Sequence, residues 1–268
     1  MQHAQWHEEW RKRPDVCRIR DSLFAWLKLE QQAILEIGPL DRPLLDKDPA
    51  YQLKYLDYAD TATLRQNISG HTLRNPDAVV ELDYVQGERL LSEVVTDRFD
   101  LIVASHVLEH LPNLLGWLRE AAKILKPGGK IFAVYPDRRY TFDLERPATS
   151  IGTLLENDSL QRTRPSPAAA FDQYYYHKNV DSNSLWRGYA AHQQKTPRTF
   201  PPAQALHAFQ EAHRTYMNCH CNLLDLESLQ EALSLSRQLS LQPFQVTRSL
   251  PTSKPYLDFI VLLDQGVA

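Results

Sequence analysis

Three cysteines in 268 residues, Cys17, Cys219 and Cys221, are too few and too unevenly spaced for a disulfide framework. Their scarcity fits a reducing compartment, and the expected location is cytoplasmic. An excess of charge of one sign is also missing: 30 Lys and Arg stand against 33 Asp and Glu, for a formal net charge of −3. Basic residues form no long stripe, so a surface that binds nucleic acid by releasing counterions has no support. No apolar run reaches the roughly 18 to 20 residues that span a bilayer, and the N-terminal "MQHAQWHEEWRKR" lacks the apolar centre of a signal peptide. Glycine is the scarcity with most bearing on function. There are nine, and the turn where a nucleotide would sit, within "AILEIGPLDRPLL" at 33–45, holds only Gly38.

What is present is a chain with 43% hydrophobic residues, enough for a sizeable core in one domain carrying a large insertion. Strand-length apolar runs recur: "AILEI", "LKYLDYA" ending near Asp57 and Asp60, "AVVELDYV" containing Asp83, "FDLIVAS" ending at Ser105, and "KIFAVYP" ending at Asp137. Between the last two, Leu111, Leu114, Leu115, Leu118, Ala121, Ala122 and Leu125 repeat with a helical period. This alternation predicts an α/β fold, a mainly parallel sheet with helices on both faces and ligands beyond the carboxyl ends of its strands. Near the C-terminus, "NLLDLESLQEALSLSRQL" reads as a helix capped by Asp225, and "PFQVTRSL" and "YLDFIVLL" as two closing strands.

A turn that cradles pyrophosphate needs several glycines and their N–H groups. Here Gly38 is followed by Pro39, which has no N–H to give. A dinucleotide is therefore disfavoured. A cofactor with an amino-acid part, a ribose and an adenine asks for one close backbone approach, at Gly38, and a nearby carboxylate, Glu36. An ordinary strand-ending turn remains the alternative.

From Ile34 to Asp143, about two fifths of the chain, the sequence resembles the class I S-adenosylmethionine-dependent methyltransferases. The likeness rests on "LEIGP", "YLDYAD", "ELDYV", "FDLIVASHVLEHLPN" and "LKPGGKIFAVYPD", in that order. The family usually has two or three glycines in the first loop, and Leu40 replaces one. A subgroup with "EIGP" and "PDRRYTFD", common among methyltransferases of polysaccharide and glycan pathways, is similar. The resemblance implies a Rossmann-like, seven-stranded fold and S-adenosyl-L-methionine as cofactor. It implies that Gly38 and Pro39 pack under the methionine part, with Glu36 near its amino group. Asp57 would accept from both ribose hydroxyls, an ionised carboxylate being acceptor only. Asp83 would accept from the adenine amine with Tyr84 near the ring, and Ser105 and His106 would lie towards the methyl group. Asp57 and Asp83 could instead be helix caps or solvated loop acids.

"HVLEH" at 106–110 matches the H-x-x-E-H pattern of inverted zinc peptidases. It lacks a third ligand at recognisable spacing and sits inside the methyltransferase pattern, so no metal is expected, and His110 reads as a partly buried helical residue. "CHC" at 219–221, read as a strand, puts Cys219 and Cys221 on one face and His220 on the other, facing the cleft. His220, His106 and Asp137 are the candidate bases.

The domain plan is an N-terminal helical segment, 1–30, and a methyltransferase domain, 31–268, with 144–215 as a lid-like insertion. The N-terminal helices could pack beside that insertion, or both could serve a homodimer surface. Arg138, Tyr140, Tyr175 and His177 are the candidate acceptor-binding residues, since arginines and aromatic rings suit a phosphorylated or polar glycan. Solvated arginines and core tyrosines are the alternative. The expected activity is O-methylation of a sugar, glycan intermediate or other small hydroxylated acceptor. A methyltransferase-like module that has lost catalysis and binds a partner is the alternative; a nicotinamide-dependent oxidoreductase is disfavoured without G-x-G-x-x-G.

Overall fold

The computed structural model describes residues 2–180, 184–188 and 197–266. Its strands are β1 (Ala33–Ile37), β2 (Gln52–Asp57), β3 (Tyr84–Val85), β4 (Phe99–Ser105), β5 (Leu125–Pro136), β6 (Phe244–Leu250) and β7 (Asp258–Gln265). They form one seven-stranded sheet in the order β3-β2-β1-β4-β5-β7-β6. β1 runs parallel to both β2 and β4, with Ile37 opposite Leu56 on one side and Ala104 on the other. Both central strands are buried almost throughout, as parallel strands covered on two faces must be. Strand order reverses between β1 and β4, so Gly38 and Ser105 lie at the switch point where such folds bind ligands.

The helices are α1 (Gln2–Arg11), α2 (Pro14–Trp26), α3 (Thr61–Ile68), α4 (Leu91–Val94), α5 (Leu114–Ile124), α6 (Ile151–Ser159), α7 (Pro167–Tyr176), α8 (Pro202–Ala212) and α9 (Leu226–Gln238). Residues 184–188 are also helical. Asp225 caps α9, its carboxylate accepting from Ser228 N, as its place in the sequence predicts.

Three expectations are corrected. The periodic run before β5 does not start its helix at the end of β4: Leu108–His110 form a single 3-10 turn, and α5 begins only at Leu114. Pro112 explains the break, because a residue before proline is pushed out of the helical region, and Leu111 has φ −70° and ψ 120°. The run "AVVELDYV" yields only the two-residue β3. Val79 turns inward against Leu64 and Ile68 instead of pairing, so Asp83 precedes the strand rather than ending it. Finally, 219–221 is coil, because the N–H groups of Cys221 and Asn222 both donate to Glu109 O, at 2.6 and 3.0 Å, rather than to a neighbouring strand.

The chain divides into two compact units. Met1–Ser105, Glu120–Ala133 and Leu262–Ala268 make the first; His106–Arg119 and Val134–Val261 make the second. In the first, α1 covers the segment after β1 and the approach to β3, with Trp6 Nε1 donating to Asp41 O at 3.0 Å and His7 Nε2 lying 2.7 Å from Ala78 O. Arg11 pairs with Asp46 at 2.8 Å. These contacts tie the N-terminal helices to the segments after β1 and before β3 within the first unit. In the second unit α7 and α8 pack together around Ala170, Ala212 and the buried Cys219.

Candidate active site

The first group of candidate residues belongs to the first unit. Gly38 follows β1 with φ +70°, a left-handed conformation that costs a side-chain-bearing residue about 1–2 kcal/mol, and its N–H donates to Leu56 O at 2.9 Å. Leu40, in the position of the missing glycine, takes φ +47°. Glu36 is buried under the loop, accepting from Leu44 N at 2.6 Å and Leu45 N at 3.1 Å. Burial pushes its carboxyl up to about 7 against those two donors. Glu36 thus shapes the loop from within. Asp57 ends β2 only 5% exposed, with Oδ1 accepting from Tyr58 N at 2.8 Å. Burial raises its pKa to about 6, against the N–H groups of Tyr58 and Leu40.

Asp83 and Tyr84 are placed differently from Asp57. Asp83 Oδ2 accepts from Tyr55 N at 2.9 Å and from Lys47 Nζ at 3.1 Å, and its own N–H returns to Tyr55 O. Tyr84 donates to Asp97 Oδ2 at 2.7 Å, beside Lys54. Both side chains are thus occupied at the beginning of β3. Ser105 ends β4 half-buried.

The second group lies in the second unit, and most of its members carry no signal in the local sequence. His220 Nδ1 sits 2.5 Å from Asp143 Oδ2, and Asp143 Oδ1 accepts from Arg146 Nη1 at 2.8 Å. Arg146 Nη2 donates to His220 O at 3.0 Å, closing a ring of interactions with Asp143 and Arg146 almost fully buried. Burial pushes the Asp143 carboxyl up, but His220 and Arg146 outweigh it and hold it below the usual range. Gln173 fixes the backbone from behind, accepting from His220 N at 2.7 Å.

His110 meets His220 edge to face, ring centroids 4.7 Å apart. Beside them Glu109 is 1% exposed. Burial raises its pKa, and His106, His110 and His220 more than reverse that. His110 itself is shifted down, chiefly by burial. Asn222, wholly buried, pins this turn by donating to Leu108 O at 2.9 Å and Leu111 O at 2.8 Å, while its own carbonyl accepts from Tyr135 Oη at 2.7 Å.

His106 adopts φ +54°, which turns its ring so that Nε2 lies 3.0 Å from Asp258 Oδ1 and Nδ1 3.6 Å from Glu109 Oε1. Desolvation disfavours the charged ring, yet the two carboxylates win and its pKa rises well above the usual value. Asp137 is fully buried and fully engaged: Arg139 donates three times, from N, Nε and Nη2, and Thr252 Oγ1 once. It anchors the lip that follows β5. Arg138 Nη1 donates to Arg146 O at 3.2 Å, and Tyr140 stacks on Trp186 at 4.0 Å. Tyr175 is half-buried under the Arg198 guanidinium, 3.8 Å from its ring centroid. His177 stacks on Phe142, its Nδ1 2.8 Å from Thr199 Oγ1, and burial lowers its pKa.

Residues 8–236 match the family model described as a methyltransferase domain. The chain belongs to that family. It carries a methyltransferase domain over most of its length. Among curated proteins, the ubiquinone biosynthesis O-methyltransferase of Xanthomonas oryzae pv. oryzae (strain PXO99A) is 38% identical over 61 residues, 22% of this chain and 26% of that protein. The methyltransferase thus matches about a quarter of the length of that relative. Among solved structures, the mitomycin 7-O-methyltransferase MmcR shares 14% identity, covering 93% of this chain and 53% of that one, with a TM-score of 0.42. Magnesium protoporphyrin IX methyltransferase from Synechocystis PCC 6803 shares 10%, covering 94% and 82%, with a TM-score of 0.40. Two features at the ends of β1 and β2 suit the cofactor: the left-handed Gly38, which carries no side chain, and the buried carboxylate of Asp57.

Glu109, Asp143, Arg146, Asn222 and Asp258 were not among the sequence-based candidates. One local hint existed, the three-residue spacing of Asp143 and Arg146, which suits an ion pair within one turn.

Proposed function

We propose that this methyltransferase acts on a hydroxyl oxygen of a small polar acceptor, a sugar or glycan intermediate of polysaccharide biosynthesis, with His220 as the base. The observation that carries the reading is the 2.5 Å contact between His220 Nδ1 and Asp143 Oδ2. A carboxylate at one ring nitrogen fixes the tautomer, so that Nδ1 holds the proton and Nε2 is the basic atom. Arg146 keeps Asp143 ionised and in place. His106 suits the task less well, since the flanking Asp258 and Glu109 carboxylates favour its protonated form, and Asp137 has its oxygens committed to Arg139 and Thr252.

When bound, the cofactor supplies an activated methyl group on its sulfonium. The chain's own residues do the rest. Gly38 and Pro39 receive the methionine part, Asp57 accepts from the ribose hydroxyls, Asp83 and Tyr84 border the adenine, and Ser105 lies towards the methyl group. His220 takes the proton of a hydroxyl whose own acidity is too low for it to attack unaided. Arg138, Tyr140, Tyr175 and His177, on the lip and the 144–215 insertion, recognise the acceptor. Oxygen as the receiving atom is supported by the curated relative, which is named as an O-methyltransferase.

The test is turnover with methyl-labelled cofactor against sugar-nucleotide, lipid-linked glycan and phenolic pools, with the product identified by mass. A labelled glycan product and a His220→Ala rate lowered about 100-fold or more at saturating acceptor are expected. Labelled phenol alone would overturn the glycan reading, a wild-type rate in His220→Ala the base. Cofactor binding without any turnover would favour a partner-binding module.

A further inference from the structure

Glu109 poses a problem that methyl transfer does not solve. It is 1% exposed, yet among the described residues neither carboxylate oxygen finds a hydrogen-bond donor. The nearest imidazole nitrogens, His106 Nδ1 at 3.6 Å and His110 Nε2 at 3.7 Å, are beyond hydrogen-bond length. An ionised carboxylate stripped of water and of donors is costly unless something positive answers it. One ligand atom each from Glu109, His110 and His220 lies within 4.8 Å of the others. His110 Nδ1 is likewise buried with no hydrogen-bond partner among the described residues.

We propose that Glu109, His110 and His220 form a binding site for a divalent first-row transition cation, with Zn2+ as the best match. Two imidazoles and one carboxylate are the donor set of three-ligand zinc sites that keep a further position open. At zinc–ligand distances of about 2.0–2.1 Å, tetrahedral ligand atoms stand about 3.4 Å apart. Side-chain rotations of roughly an ångström close the present spacing to that value.

The surroundings are those of a metal site as well. Asp143 at His220 Nδ1 fixes the tautomer and leaves Nε2 for the cation, the carboxylate–histidine–metal arrangement that raises ligand basicity. Arg146 holds Asp143 in turn, and Asn222 fixes the turn that carries Glu109 and His110. The expectation of no metal rested on the lack of a third ligand near "HVLEH"; His220 arrives from 110 residues further along. His106, which that motif would enlist, faces Asp258 instead.

The site stands on its own geometry, while its use in catalysis rests on the function proposed above. With the cation in place Nε2 of His220 is a ligand, and only with the cation absent is it free to act as the base proposed above.

The experiment is titration of chelator-treated full-length protein with Zn2+ by calorimetry and with Co2+ by visible absorption. One saturable equivalent of each, and the absorption of a four-coordinate N/O site with Co2+, are expected. Glu109→Gln and His110→Ala should each weaken binding at least tenfold, and Asp143→Asn about 10- to 100-fold, with melting curves showing that each variant is folded. If Glu109→Gln does not fold, His110→Ala decides. Absence of saturable binding overturns the proposal, and so does binding that survives both changes but disappears in Cys219→Ser/Cys221→Ser. Methylation without cation binding would sink this inference and keep the function; cation binding without methylation would do the reverse.

Discussion

Glu36 and Glu109 are equally hidden from water, yet the protein treats them in opposite ways. The first lies under the loop after β1, where two backbone N–H groups answer it and burial still lifts its pKa to about 7. The second lies among three imidazoles, finds no hydrogen-bond donor among the described residues, and is held below the usual carboxylate range. Neutral donors satisfy geometry without supplying charge, so the loop tolerates a carboxyl that protonates. Imidazoles supply charge without meeting the oxygens, so the cluster keeps an anion that a cation could claim. The loop is built to be shaped, the cluster to be occupied.

The largest expected effect comes from removing a charge in the second region. Arg146→Ala takes the guanidinium from Asp143 and a donor from His220 O, and breaking a buried pair typically costs about 3–5 kcal/mol. Denaturant unfolding should register that loss. A change below about 1 kcal/mol would mean that Asp143 is compensated from elsewhere, and the contrast with Glu36 would weaken.

Next comes Asp57→Ala, which should leave unfolding nearly unchanged but weaken S-adenosylmethionine about tenfold or more, through lost bonds to a charged group of about 1.5–3 kcal/mol. Because Asp57 titrates near 6, wild-type affinity should also fall as pH drops through about 6. Calorimetry over that range that finds the variant and the wild type alike would remove Asp57 from the cofactor site.

The smallest effect is a slope. Native Glu36 holds its proton up to about pH 7, whereas in the unfolded chain a glutamate releases it near about 4.3. Between those values the native state binds more protons, so this group's contribution to stability is full below the lower value and is lost as pH rises through 7. Glu36→Gln should flatten that part of the stability profile. An unchanged slope would show that Glu36 does not titrate as its burial implies.

β4 and the cap of α9 could be read from sequence because the determinants are local: a continuous apolar run bounded by charge, an aspartate before an apolar period. The same local reading misjudged "AVVELDYV" and "CHC", whose apolar or small residues answer to α3 and to the Glu109 carbonyl rather than to a strand partner. Gly38 and Asp57 were legible because strand ends announce themselves. Asp143, Arg146 and Asn222 were not, since what makes them matter is a partner far away in the chain.

Asn222 joins two carbonyl partners that lie 114 and 111 positions earlier in the chain. During synthesis the Leu108–His110 turn leaves the ribosome long before the amide that fastens it, so β1, β2 and β4 can assemble while that turn is still untied. Contacts of such long range slow folding, because the connecting chain must be closed before they repay its entropy. The histidines and carboxylates should therefore be the last part of the molecule to acquire their native arrangement, and a nascent chain stopped short of residue 222 should carry β1, β2 and β4 paired without them.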